Sequence, residues 1–429
     1  MDHVQMRGFT DYNKASAAAV GILLGCLIFD SETLFAFRPK IWDLPIIVWC
    51  ICPFLSSIEN GLGAYDGLSA MAYQTTFWGL PYFIGRLYFS DLAGLRELAE
   101  GIVIGGLLYV PLCWFEIRFS PQLHRIVYGH HQHEFGQSVR YGAYRPMVFM
   151  QHGLAVGMWM ASATVTAFWL FLNRTVPRLM GMPMVVIFLL LIVTTVFCRS
   201  MGAITLMFVG IGVLTMTRFV RWPVWVIALA LAPSAYMYLR GSDIWDGRNL
   251  VKQIAQTDPR GAASLAARIQ SENLLVHHAL KRPIFGWGLW NRFRIVDEEG
   301  NDQAVPDGLW VIALGHNGLV GLVAVTAVLT LPLLLLAWRI PVELWAHVGA
   351  APAAAMAVIP ALYMCDNLMN AMVNPIFILC AAGVSGLAFS LRQPQSQMQV
   401  QSTGQQARVG AGYQGHPLAR GGARTRELA

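Results

Sequence analysis

Apolar stretches recur along the chain at about 15–29, 44–58, 68–89, 101–117, 147–172, 179–197, 201–217, 222–239, 315–337, 344–364 and 371–391, separated by short polar connections. Wound as helix, runs of roughly 17 to 25 residues cross a hydrocarbon core ~30 Å thick. In lipid each backbone N–H and C=O must be satisfied within the chain, which a helix does by itself. The pattern therefore predicts an all-α polytopic membrane protein of about 11–12 transmembrane helices, the first two segments being short. Between two of these runs, SDLAGLRELAE (90–100) spaces Leu92, Leu95 and Leu98 against Arg96, Glu97 and Glu100, which predicts a short interfacial helix. The other helical spacing outside the apolar runs is SLAARIQSENLLVHHALKR (264–282), with Leu265, Ile269, Leu275 and Leu280 in step. Pro283 and the glycines of FGWGLW (285–290) end it, predicting a helix and then a turn that packs back on the membrane helices.

Composition supports the lipid-embedded reading: 56% of the 429 residues are hydrophobic and 13% charged, against about 25% charged in soluble domains. Charge placement divides the chain. Of 54 charged residues, eighteen lie between 240 and 308, nine of each sign, and loops longer than about 15 residues are uncommon unless functional or disordered. Four regions follow: N-terminal membrane helices to residue 239 with a loop at 118–146, a loop subdomain at 240–308, C-terminal helices at 309–391, and a tail at 392–429. The tail, rich in Gln and Gly and carrying Arg392, Arg408, Arg420, Arg424 and Arg426, reads as a disordered arm near anionic headgroups. Its arginines are scattered and little interleaved with aromatics, so no nucleic-acid partner is expected. The first apolar segment lacks the order of a cleavable signal and reads as retained. Seven cysteines sit in or beside apolar runs without a CxxC pair and read as small packed residues rather than a disulfide framework.

Alternating the segments places Arg174, Arg178, Arg218, Arg221, Arg339 and the tail on one side, which the positive-inside rule makes cytoplasmic. The 240–308 loop is then outside. The connection at 118–146 breaks the bias, placing Arg118, Arg125, Arg140 and Arg145 outside too: either the alternation fails there or those arginines have a task. Whatever the orientation, an even number of crossings separates 118–146, Arg199, the long loop and 365–370, so these four pieces share one face.

Candidate chemistry collects on that face. His316 in LGHNGLVG (314–321) begins or just precedes a long apolar helix; an imidazole there suits a general base for a hydroxyl, or simply an interfacial cap. Arg199 in CRSMG is costly beside hydrocarbon and is either functional or snorkelling. A guanidinium stays charged and offers a planar fork of donors suited to diphosphate. Arg268 in the loop helix carries less meaning alone, since loop arginines are usually solvated. The stretch 118–152 mixes arginines, tyrosines and histidines fit for phosphate or sugar, or forms a wet loop. His130, His131 and His133 lack a completing carboxylate or cysteine, and His152 begins a helix as a site residue or a packed one. No P-loop, GxSxG, HExxH or dinucleotide fingerprint occurs, nor the Asp-rich motif of nucleotide-sugar transferases. No internal repeat of the kind common in transporters is found, which favours an interfacial enzyme over a flippase.

The order of these pieces resembles the O-antigen ligase and polymerase superfamily of membrane glycosyltransferases. The likeness runs over about 118–391: RYGAYRPMVFMQHG (140–153), an arginine after an apolar helix at CRSMGA (198–203), ARIQSENLLVHHALKRPIFGWG (267–288) in one large loop, and His-Asn at 316–317. The resemblance implies a GT-C-like fold with a partly helical periplasmic loop in a bacterial inner membrane, and transfer of glycan from an undecaprenyl-diphosphate-linked oligosaccharide without metal or cofactor. It implies that Arg199 and Arg268 hold the donor diphosphate and that His316 activates the acceptor hydroxyl, with Arg140, Arg145, His152 and Asn317 as glycan or acceptor contacts. Many members carry a tryptophan after the loop arginine, where this chain has Asn273 and Leu274. A polymerase of exopolysaccharide or O-antigen repeats is the expected activity, because 118–152 offers a second polar surface for a glycan. The alternatives are a ligase passing the chain to lipid A core or protein, and a lipid-linked glycan transporter. Membrane lipids, a flippase and a chain-length regulator are the implied partners.

Overall fold

Each apolar run winds into helix, since no other single segment satisfies its own backbone in lipid. The computed structural model describes residues 4–5, 11–12, 14–140 and 142–390. In chain order the helices are α1 Lys14–Phe29, α2 Ser31–Ala36, α3 Leu44–Glu59, α4 Ala64–Gln74, α5 Leu80–Tyr88, α6 Leu92–Phe119, α7 Leu123–Tyr128 and α8 Gly153–Leu172. They continue with α9 Met184–Phe197, α10 Met201–Phe219, α11 Val224–Gly241, α12 Arg248–Ala255, α13 Pro259–Ala279, α14 Leu309–Arg339, α15 Ala351–Asp366 and α16 Pro375–Ser390. A π-helical turn, Thr75–Gly79, joins α4 to α5. Strand among the described residues is confined to two-residue antiparallel pairs such as Val139–Arg140 with Ala143–Tyr144.

The protein is an all-α membrane protein. Among the described residues six helices are long and apolar enough to cross a bilayer, and four shorter apolar helices accompany them. All eleven expected segments fall on helices, the third on α4, the π turn and α5 together. Two expectations need correction. The interfacial helix at 90–100 is the first part of α6, capped by Asp91, whose carboxylate accepts from Gly94 N at 2.7 Å. The loop helix begins at Pro259, with Asp258 accepting from Gly261 N at 3.0 Å, rather than at 264. The tail at 392–429 lies outside the described residues, and the described residues through Ser390 form one compact unit that includes the 240–308 loop.

The innermost helices are α8 and α15, whose side chains are almost all buried. Both are rich in small residues, which lets backbones approach where lipid provides no hydrophobic drive. A Cβ on Gly106 of α6 would meet Ala163 Cβ at 2.5 Å, and one on Gly210 of α10 would meet Leu362 Cδ1 at 2.6 Å. α8 packs against α6, α9, α10 and α15, while α14 packs against α3, α15 and α16.

Polar contacts sort the connections by face. At one end Arg86 Nε donates to Asp43 at 2.7 Å, Tyr82 adds a bond to the same carboxylate at 3.0 Å, and Ser390 Oγ reaches Ser90 O at 3.4 Å. Arg218 donates to Asn173 Oδ1 at 2.5 Å on that side. The other end, the loop face, carries Asn60, Asp66, 120–152, Arg199, 242–308 and 367–374. There Arg292 pairs with Asp66 at 2.8 Å and Asn60 Nδ2 donates to Gly286 O at 2.9 Å.

Candidate functional site

The sequences LGHNGLVG and PIFGWG meet. α14 is continuous except at Gly318, whose φ of 63° and ψ of −163° break the helix between Leu309–Asn317 and the long apolar half. A break frees backbone groups that must be satisfied inside a membrane protein. The turn after α13 does this: Trp287 N donates to Gly315 O at 2.8 Å, Gly288 N to His316 O at 3.1 Å, Leu319 N to Pro283 O at 2.7 Å and Val320 N to Ile284 O at 3.3 Å. Ser56 Oγ also donates to His316 O at 3.0 Å, and Cys52 Sγ to Asn317 O at 3.3 Å. Glycine is required on both sides, since a Cβ on Gly286 (φ 72°) would lie 2.6 Å from Gly318 N. His316 therefore sits at the end of a first short helical section and just precedes the long apolar half of α14. Its ring packs edge-on against Phe293, centroids 5.0 Å apart.

Arg268 is placed by a buried clamp one turn further along α13. Glu272 accepts from Arg240 Nε at 2.9 Å, Trp310 Nε1 at 2.8 Å and Tyr236 OH at 3.0 Å, tying α13 to α11 and α14. Arg240 also donates to Asn273 Oδ1 at 2.6 Å, so Asn273 belongs to this clamp. Burial pushes the Glu272 carboxyl above its ordinary range, against the pull of Arg240. Arg268 Nη1 donates to Met369 O at 3.1 Å and Asn370 Oδ1 at 3.4 Å, and Nε lies 3.5 Å from Asp307.

The loop at 120–152 is held by Glu116, a buried carboxylate near the end of α6 that accepts from Leu123 N at 2.9 Å and from Met147 N and Val148 N at 2.8 Å each. This brings Arg145 onto the α9–α10 junction, where its Nη2 donates to Arg199 O at 3.0 Å. Arg199, in the left-handed region at φ 52°, donates from Nη1 to Arg140 O at 3.2 Å. His152 caps α8, its Nδ1 accepting from Leu154 N at 3.1 Å while Nε2 lies 3.4 Å from Gln137 Oε1. Burial, then the charge of Arg145, His133, Arg140 and Arg268, lowers its pKa to about 4, so the ring is neutral at pH 7.

These residues line two cavities. The first, about 410 Å³, gathers Arg140, Arg145, His152, Arg199 and Arg268 with the N-terminus of α10 at Ser200–Gly202. Among its described lining residues Asp307 is the one acid. The cavity is thus cationic, and the α10 terminus adds backbone N–H groups and the positive end of a helix dipole. The second, about 750 Å³, holds His316 and Asn317 among aromatic and amide side chains, with no charged residue among its described lining. Residues along 149–155 and 370–375 alternate between the two: Asn370 and Met372 face the cationic cavity, Ala371 and Val373 the uncharged one. The structure thus joins Arg140, Arg145, His152, Arg199 and Arg268 in one cavity, and His316 with Asn317 in its neighbour across a common wall.

Sequence reasoning passed over Trp49, Gln74, Glu116, Glu272 and Asp307. A carboxylate near the end of an apolar run was the available signal for Glu116; Asp307 is one of nine loop acids and carried none. Among the described residues no group of three or more His, Cys, Asp or Glu is placed to hold a metal. No family model, curated protein or solved structure matches the chain.

Proposed function

We propose that this protein is a glycosyltransferase that polymerises polyprenyl-diphosphate-linked oligosaccharide repeats at the loop face, periplasmic in a bacterial inner membrane. The observation that carries the reading is the juxtaposition of the two cavities, one with four arginines against a single acid and the other uncharged and holding His316. Arginines offer charge-assisted, bidentate bonds to a diphosphate. Their fixed charge is worth most as the leaving diphosphate gains negative charge. Arg199 and Arg268 hold the donor, and Arg140 and Arg145, which carry the surplus charge on a face that the positive-inside rule would leave poor in arginine, complete the cradle. His316 Nε2, buried without a hydrogen-bond partner among the described residues, takes the acceptor hydroxyl proton. The hydroxyl oxygen then bonds to the anomeric carbon from the face opposite the leaving group. The carbon–oxygen bond to the diphosphate breaks, its electron pair leaving with the polyprenyl diphosphate, and the anomeric centre inverts. The loop at 118–152 lines both cavities, with Gln137, Arg140 and Arg145 on one and Gln132, Phe149 and Gln151 on the other. That division favours a polymerase, which handles two glycans, over a ligase.

The test is purified protein in lipid given a polyprenyl-diphosphate oligosaccharide. A ladder of longer glycans without any other acceptor supports the reading; transfer only after adding lipid A core makes the protein a ligase, and glycan crossing vesicles unchanged makes it a transporter. Arg199→Ala or Arg268→Ala should lower the rate by about 10²–10³, and His316→Ala by about 10²–10⁴. Unchanged turnover in His316→Ala removes it as base.

A further inference from the structure

We infer that the uncharged cavity beside His316 binds a neutral, polyhydroxylated glycan, and that Trp49, Gln74 and Asn317 select it. Only the naming of this glycan as the acceptor rests on the transferase reading. Four residues that line the cavity each carry a buried polar atom without a hydrogen-bond partner among the described residues: Trp49 Nε1, Gln74 Nε2, His316 Nε2 and Asn317 Oδ1. The residues bearing three of them are more than nine-tenths buried, Trp49 at 3%, Gln74 at 5% and Asn317 at 1% exposure. Buried polar groups are almost always paired, so four on the residues of one cavity point to a ligand that pairs with them. Their chemistry is mixed: indole and amide N–H groups donate, Asn317 Oδ1 accepts, and a hydroxyl does both.

Depth and shape point the same way. Trp49 stands ten residues before the end of α3 at Glu59, and Gln74 ten residues into α4 from Ala64, so the cavity reaches about 15 Å below the loop face at 1.5 Å per residue. Such depth is costly for unmatched polar groups. The π turn, a feature common at functional sites, supplies Phe77 and Trp78. Gly79 permits the turn to lie close to α3, since a Cβ there would sit 3.1 Å from Cys50 Sγ. Trp49 and Trp78 meet edge to face at 5.5 Å, as do Tyr73 and Trp290 at 5.6 Å, giving rigid aromatic walls for the apolar faces of sugar rings. At about 750 Å³ the space falls within the roughly 300–1,000 Å³ of small-molecule sites. Among its described lining residues none is a lysine or arginine that would match a phosphate or carboxylate, and Arg140, Arg145, Arg199 and Arg268 line the neighbouring cavity instead.

The experiment uses full-length protein in lipid nanodiscs and, as probe, oligosaccharides released by mild acid from the polyprenyl diphosphate fraction of cells that make the protein. These are split into neutral and acidic pools by anion exchange, and retained glycan is read by native mass spectrometry with tryptophan fluorescence. The neutral pool should bind and the acidic pool should not. Trp49→Phe and Gln74→Met, which keep shape and remove donors, should each weaken binding at least about tenfold, with pyrophosphate binding by calorimetry unchanged. Retention of the acidic pool alone, of neither pool, or of neutral glycan equally by both variants overturns the inference. Loss of pyrophosphate binding in wild-type protein with glycan still bound fails the donor reading and leaves this one standing.

Discussion

Gly318→Ala should open the contact that positions His316. The residue lies at φ 63° and ψ −163°, a region open essentially to glycine alone, where another residue costs about 1–3 kcal/mol. The added Cβ would also run into Ile284 O and lie 2.7 Å from Gly286 N. Relief requires segments 283–288 and 315–320 to part, breaking the four backbone bonds of 2.7 to 3.3 Å that join them. At a net of about 0.5–1.5 kcal/mol each these are worth about 2–6 kcal/mol. Even a local loss of about 3 kcal/mol is about a hundredfold in the opening equilibrium. Hydrogen exchange read by mass spectrometry in nanodiscs should show the amides of Trp287, Gly288, Leu319 and Val320 exchanging about a hundred times faster, with the proposed glycan transfer reduced in step. Gly212→Ala is the control: it lies within α10 with nothing within 4 Å of a new Cβ, and should be neutral or stabilising by about 0.5–1 kcal/mol. Wild-type protection and transfer in Gly318→Ala would refute the reasoning.

Glu272→Ala strands the Arg240 side chain, 2% exposed, without its carboxylate and should destabilise by about 3–5 kcal/mol, read as a lowered thermal midpoint in detergent, with Glu272→Gln milder. For His152, the folded pKa of about 4 lies below the ~6.5 of a free imidazole. The unfolded chain therefore takes up the extra proton between these values. Stability should fall as pH drops from about 6.5 to about 4, by up to about 3 kcal/mol, with no contribution above that window. His152→Asn keeps a cap acceptor and should flatten this slope in pH-dependent thermal unfolding; an unchanged slope assigns it to another group.

Sequence alone determined the all-α membrane architecture, because apolar run length and the need to satisfy backbone in lipid leave helix as the solution for each segment. Counting crossings also placed 118–146, Arg199, the long loop and 365–370 on one face, and the contacts of Arg145 with Arg199 and of Arg268 with Asn370 join pieces of that face. Tertiary structure alone decided what lies beside what on that face. Periodicity carries the direction of a side chain on its own helix, but not which of several equivalent polar ends will meet. The break at Gly318 exists because a turn some thirty residues upstream supplies its hydrogen bonds, so neither sequence explains the other until they are paired. The arginines and His316 fall in separate cavities because residues 370–375 alternate between them, an arrangement set by packing. Trp49 and Gln74 read as ordinary members of apolar runs, since only the folded chain shows that the Trp49 Nε1 and Gln74 Nε2 groups have no partner among the described residues.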